Sequence, residues 1–250
     1  MTDRFKLTLE ELSRNGNLRK IPDTAGQPTN IDLTSNDYMG IAANRSYFND
    51  FMSGYPIDQI EMSSSAARLL SSRQKEYTEL ESLMASLYDK ECLLFNSGYH
   101  ANTGIIPALC NSRTLIIADK LVHASIIDGI ILSRCQFIRF KHNDLNHLEA
   151  LLRQYAGKYD QVLVICESIY SMDGDICPLD QIAALKISFP NVMLYVDEAH
   201  GFGVRGEHGL GICEETATIA DIDIIVGTFG KAAASYGAAA LPKVPTMMSM

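Results

Sequence analysis

The stretch Val192-Met-Leu-Tyr-Val-Asp-Glu-Ala-His-Gly-Phe-Gly203 is an apolar run that ends abruptly in two carboxylates and an imidazole. A buried strand with a polar carboxyl end gives such a pattern. Two chemistries use it. Asp-Glu-Ala-His can hold magnesium at a strand end of a helicase-type NTPase, or one carboxylate and one imidazole can face an organic cofactor. The first needs a phosphate loop, G-x-x-x-x-G-K-[ST], upstream. The chain has none. Gly227-Thr-Phe-Gly-Lys231-Ala232 is too short, lacks a hydroxyl after the lysine and lies downstream. The net charge of −9 also argues against a nucleic-acid surface, where a basic face is expected.

Working outward, similar apolar runs recur at 92–97 (CLLFNS), 114–119 (TLIIAD), 135–140 (CQFIRF), 161–168 (QVLVICES) and 222–228 (IDIIVGT). Helix-like runs separate them at 123–132, 146–155 and 180–188, and KEYTELESLMASLY (75–88) has helical apolar spacing. This alternation predicts an α/β fold of three layers, a mostly parallel sheet with helices on both faces. The first segment, through about Lys20, reads as an amphipathic helix, and IDLTSNDYMG (31–40) as a short strand running into a turn. The expected division is 1–45 for that helix and strand, 46–240 for a large domain, and 241–250 for a tail.

The bulk numbers suit a soluble globular protein. Of 250 residues, 47% are hydrophobic and 20% charged, ordinary values with enough chain for a sizeable core. The six cysteines (92, 110, 135, 166, 177 and 213) form no C-x-x-C pair, so free thiols are expected rather than disulfides or a metal site. The N-terminus carries acidic residues where a signal peptide would be apolar, and no apolar run approaches the roughly 18 residues of a membrane span. A cytosolic protein is the expectation.

In a parallel sheet, ligands collect at the carboxyl ends of strands. There lie Asn96-Ser97-Gly98, Asp119, Glu167 to Ser171, Asp197 to His200 and Thr228 to Lys231. Lys231 sits among small residues, GTFGKAAASYG, which suit close approach of a flat ligand. A lysine in such a site can have its pKa lowered and form a Schiff base with an aldehyde. Alternatively it is a surface lysine in a Gly/Ala loop. Pyridoxal phosphate is the common cofactor that requires such an amine, together with an acid for its ring nitrogen. Asp197 supplies the acid, and His200 could reach the phenolic oxygen unless it is held structurally in its loop. Asn96 to Asn102 runs from a strand into the helix ANTGIIPAL, and free N–H groups at a helix start suit a phosphate.

Assembled in order, these motifs resemble the α-oxoamine synthase family of fold-type I pyridoxal-phosphate enzymes. The matches are SNDYMG (35–40), LFNSGYHAN (94–102), ADKLVHASIIDG (118–129), RFKHNDLNHLE (139–149), ESIYSMDGDICPL (167–179), YVDEAHGFGVRGEHGLG (195–211) and GTFGK (227–231). The resemblance implies that Lys231 holds the cofactor aldehyde and later shuttles the substrate α-proton. Asp197 would pair with the ring nitrogen and His123 would stack on the ring and meet substrate. Ser171 and His200 would hold the phenolic oxygen region, with Glu167 nearby. Gly98, Tyr99 and Thr228 would contact the phosphate. Arg19 and Asn36 would bind substrate. The implied reaction condenses an amino acid, alanine in the biotin-pathway branch, with a pimeloyl thioester on CoA or an acyl carrier protein, and releases carbon dioxide. The threonine-pathway glycine acyltransferase branch is the alternative, since HASIIDG suits it too. Homodimers are implied, with no nucleic acid, membrane or metal.

Two departures stand out. Ser63 to Arg68 is poorer in glycine than the family's segment. The family also continues past its lysine into more sheet and a small C-terminal domain. Here LPKVPTMMSM does not resemble that continuation, and Pro242 and Pro245 should interrupt what would be a central strand. The expectation is a shortened large domain lacking the small one, as a fragment, the product of a frameshifted gene, or a chain completed by a second. A catalytically incomplete domain that binds the cofactor or acts only as a partner subunit is the alternative to an active enzyme.

Overall fold

A computed structural model describes residues 2–21, 33–55, 63–71 and 74–244. The chain divides into two compact units, Met1–Ser35 and Asn36–Met250. The first carries helix α1 (Thr2–Arg14), whose Phe5, Leu7 and Leu9 are exposed. The helix is shorter than its amphipathic pattern suggests. Gly16 takes φ +70, and the Asn17 amide folds back onto the Leu12 carbonyl, a turn that ends a helix cheaply only at glycine.

The expected short strand at 31–40, a segment that runs from the first unit into the second, does not form among the described residues. Leu33 and Thr34 lie in a bend, and the Asp37 carboxylate accepts the amides of Ile41 and Ala42 at 2.9 and 3.0 Å. That side chain offers the backbone a turn in place of a ladder. Ile31 and Asp32 lie outside the described residues. Helix α2 (Arg45–Gly54) follows, capped by Asn44, and then α3 (Lys75–Tyr88).

The rest alternates as anticipated: β1 (Leu93–Phe95), α4 (Gly98–Leu109), β2 (Thr114–Asp119), α5 (Ala124–Ser133), β3 (Gln136–Phe140) and α6 (Leu145–Tyr155). Next come β4 (Gln161–Glu167), α7 (Leu179–Lys186), β5 (Val192–Asp197), α8 (Ile212–Glu215), β6 (Ile224–Thr228) and β7 (Ala238–Pro242). The seven strands lie in the order β1-β7-β6-β5-β4-β2-β3, all parallel except β7. β2, β4, β5, β6 and β7 are almost wholly buried, which is why they read as continuous apolar runs rather than alternations.

Topology places the ligand edge. The chain leaves β2 outward to β3, whereas β4 leads the other way to β5 and β6. Right-handed crossovers in opposite directions put their helices on opposite faces, in keeping with α4 packing on α5 and α6 on α7. The gap between β2 and β4 is therefore a topological switch point, where ligands enter such sheets.

Pro242 does not interrupt the sheet as expected. It is the last residue of β7, paired opposite Ile224, and its carbonyl accepts the Glu91 amide at 3.1 Å. A proline at a strand end loses no ladder bond that its neighbours need. Pro245 lies outside the described residues. No helix among the described residues is long and apolar enough to cross a membrane.

Candidate active site

The carboxyl ends of β4, β5 and β6 stop at Glu167, Asp197 and Thr228, and β2 leads through Asp119 to His123. The opening question resolves here, because the two neighbouring carboxylates point to different partners. Asp197 Oδ1 accepts the Ala199 amide at 2.9 Å and its Oδ2 accepts Asn102 Nδ2 at 2.8 Å. Glu198 is fully buried and bonds to the Ser168 hydroxyl at 2.5 Å and the Cys213 amide at 2.6 Å. It ties the loop after β5 to the start of α8.

Lys231 follows β6 and is half-buried, with its Nζ 2.8 Å from His200 Nε2. Burial pulls the Lys231 pKa down, opposed by the negative charges of Asp197 and Glu167. His200 is pushed down to about 4 by burial and by the Lys231 charge, with Asp197 acting the other way. Its Nδ1 meets the Tyr38 hydroxyl at 2.7 Å, and that hydroxyl reaches Asn36 Oδ1 at 3.1 Å. Glu167 accepts the His123 amide, and its pKa is raised to about 8 by burial and then by Asp197. Low-dielectric surroundings favour the neutral form of each of these groups.

His123 caps α5 with its own ring. Nδ1 accepts the Ser125 amide at 3.2 Å and lies 2.8 Å from Ser125 Oγ. The remainder of the side chain is exposed. At the start of α4, Ser97 caps the helix by accepting the His100 amide at 3.2 Å. This leaves the Gly98 and Tyr99 amides as the leading donors of the helix. A Cβ on Gly98 would lie 3.8 Å from Thr228 Oγ1, so that hydroxyl and the helix start share one point. The Tyr99 hydroxyl turns away to Asp128 at 2.8 Å.

The structure thus gathers Lys231, Asp197, His200, Glu167, His123, Gly98, Tyr99 and Thr228 at one sheet edge, with Asn36 linked through Tyr38. Two expected residues are not gathered by any contact. Ser171 is exposed in the turn after β4, and Arg19 is exposed in the N-terminal unit. Sequence reasoning missed Asn102, Ser125 and Tyr38. All three stood inside quoted motifs, but nothing in a lone Asn, Ser or Tyr announces a partner elsewhere in the chain.

This sheet, with a lysine and an aspartate at its carboxyl edge, defines a class. The chain belongs to the aminotransferase class I and II family, whose profile matches residues 28–245. Among particular relatives, a provisionally named 8-amino-7-oxononanoate synthase of Haemophilus influenzae is 50% identical over 245 residues, 94% of this chain and 64% of its own length. The chain therefore spans under two-thirds of that relative. A serine palmitoyltransferase from S. paucimobilis, solved with a bound PLP–myriocin aldimine, superposes with a TM-score of 0.84 at 26% identity. That match covers 99% of this chain and 66% of the other. The 8-amino-7-oxononanoate synthase of Francisella tularensis gives 0.71 at 28% identity, covering 88% of this chain and 60% of that one.

Proposed function

We propose that this chain binds pyridoxal phosphate and supplies the large-domain half of an α-oxoamine synthase active site. The observation that carries the reading is the meeting of an amine, a carboxylate, an exposed histidine and a helix start along one sheet edge. The donor set fits the cofactor. Two helix-start amides and a threonine hydroxyl suit a phosphate, a carboxylate suits a protonated ring nitrogen, and a partly desolvated amine suits an aldehyde.

When bound, the cofactor supplies an aldehyde carbon for amines and an aromatic ring that draws electrons from the substrate α-carbon. The chain's residues do the remainder. Lys231 would hold the aldehyde, and its amine is the group placed to take and return the α-proton. Burial lowers its pKa, the direction that favours the neutral amine needed for that work. Asp197 holds the ring nitrogen's proton, its direction set by Ala199 and Asn102. His123 would stack on the ring. His200, whose Nδ1 meets the Tyr38 hydroxyl, would hold the phenolic oxygen, and Ser171 is assigned to the same region by resemblance alone. Glu167 holds the His123 backbone by accepting its amide. Gly98, Tyr99 and Thr228 grip the phosphate. Asn36 and Arg19 are assigned to substrate by resemblance alone.

The reaction favoured by the 50% identity to the Haemophilus protein joins alanine to a pimeloyl thioester, on CoA or an acyl carrier protein, with loss of carbon dioxide. The product would be 8-amino-7-oxononanoate in biotin synthesis, made in the cytoplasm by a homodimer. Purified chain mixed with pyridoxal phosphate should gain absorbance above 400 nm that Lys231→Ala lacks. Turnover of alanine with pimeloyl thioester, but not of glycine with acetyl-CoA or serine with palmitoyl-CoA, would support the specific reaction. Absence of any spectral change in the unaltered chain would sink the cofactor reading. Binding without turnover would leave a cofactor-binding domain that needs more chain.

A further inference from the structure

Asn102 is 1% exposed, lies in the second turn of α4, and makes three side-chain hydrogen bonds. Its Oδ1 accepts the Tyr195 hydroxyl at 2.5 Å. Its Nδ2 donates to Asp197 Oδ2 at 2.8 Å and to Ser125 Oγ at 2.9 Å. Ser125 and Tyr195 are as buried as Asn102 itself. The amide orientation is not free. Reversed, it would set a carbonyl oxygen against the Asp197 carboxylate and a nitrogen against the Tyr195 hydroxyl, leaving buried groups unpaired at high cost.

That orientation propagates. Ser125 Oγ, having accepted from Asn102, turns its own proton to His123 Nδ1 at 2.8 Å. The Ser125 amide donates to the same nitrogen. Nδ1 is thereby held as an acceptor, and the neutral ring must carry its proton on Nε2. The approach of the two helices depends on Gly129, where a Cβ would sit 2.5 Å from the Asn102 carbonyl oxygen.

We propose that Asn102 is a positioning residue that couples the Asp197 carboxylate to the His123 imidazole, fixing the direction of one and the tautomer of the other. The idea rests on the reading that these two groups flank the cofactor ring. Asparagine is the side chain that can do both, because it offers two N–H donors beside one acceptor. Aspartate has no N–H for either neighbour, and alanine leaves Asp197 Oδ2 and the Tyr195 hydroxyl without partners.

The test is long-range 15N NMR of the histidines in the cofactor-free protein, with His123 assigned by the signals lost in His123→Gln. In the unaltered chain His123 should show a protonated Nε2 and an unprotonated Nδ1. Ser125→Ala and Asn102→Ala should each move it toward a tautomer mixture while far-UV circular dichroism stays the same. Asn102→Ala should also weaken pyridoxal phosphate binding by about ten- to a hundredfold, as losing one hydrogen bond to a charged group implies. Unshifted His123 nitrogens in both folded variants, or a protonated Nδ1 at the start, would overturn the proposal. Should Asn102→Ala fail to fold, Ser125→Ala decides the tautomer alone. If the unaltered chain ignores the cofactor, the functional reading fails while the tautomer result still stands or falls independently.

Discussion

Glu198, one residue beyond Asp197, shows how much a single side chain can owe to the glycines around it. A Cβ on Gly211 would lie 2.4 Å from the Glu198 carboxyl carbon, and Gly211 holds φ +96. Both the conformation and the space exclude other residues. Gly211→Ala should cost about 2–5 kcal/mol, adding backbone strain to overpacking, with a lowered urea midpoint and an unchanged m-value. His200 makes a second prediction at this scale. With its pKa pushed down to about 4 by burial and Lys231, it should stay neutral across the range where free histidine titrates. Its carbon-bound proton shifts should be flat from pH 8 to pH 5. Tyr38→Phe should leave that flatness intact while freeing the ring to turn.

At the scale of elements, helices and strand ends are held by a few buried contacts. Gly129→Ala would push α5 off α4 where the Cβ meets the Asn102 carbonyl oxygen. A loss of about 1–3 kcal/mol is expected from overpacking, seen as a lower unfolding midpoint. On the other side of the switch point, His142 bridges two elements. Its Nδ1 meets Asp119 at the end of β2 at 2.9 Å, and its Nε2 meets Asp175 in the turn after β4 at 2.7 Å. Asn143 donates to both carboxylates, and the Tyr170 ring packs edge-on against the imidazole. Asp173 is also near enough to share a cation with His142 and Asp175, but both ring nitrogens are already spent. Burial lowers the His142 pKa, yet the two carboxylates outweigh it and hold the value above 6.5. A raised histidine pKa stabilises fully below the unfolded value, and that stability fades as pH rises through the folded one. His142→Gln should therefore destabilise the protein more at pH 5.5 than at pH 8.5, measured by urea unfolding.

For the molecule as a whole, the site sets a pH cost on folding. Glu167 is raised from 4.5 to about 8 by burial and by Asp197. The folded chain thus prefers it protonated, and the stability this confers is full below the unfolded pKa and declines as pH climbs toward the folded one. In the absence of cofactor, Glu167→Gln should flatten the fall in unfolding free energy between about pH 5 and pH 9. An identical pH profile in wild type and variant would contradict that burial effect.

The sheet strands β2, β4 and β5 were legible from sequence because each is a short, fully buried apolar run, a signal carried by neighbours in the chain. β7 was not. Ala238-Ala-Ala-Leu-Pro242 has weak strand propensity and a closing proline, and it is a strand because β6 and β1 pair with it on either side. The site divides the same way. Lys231, Asp197, His200 and His123 were readable because each stands at a strand or helix end inside a local motif. Asn102 and Tyr38 acquire their roles from partners 95 and 162 residues away. By itself the sequence determined β1 to β6, in chain order, and which reactive groups stand at their carboxyl ends, since these follow from local apolar runs and end residues. Only the tertiary structure decided which of those groups share hydrogen bonds and which partners each of the two adjacent carboxylates takes. Those are properties of distance and burial, and distance between remote residues exists only once the chain has folded.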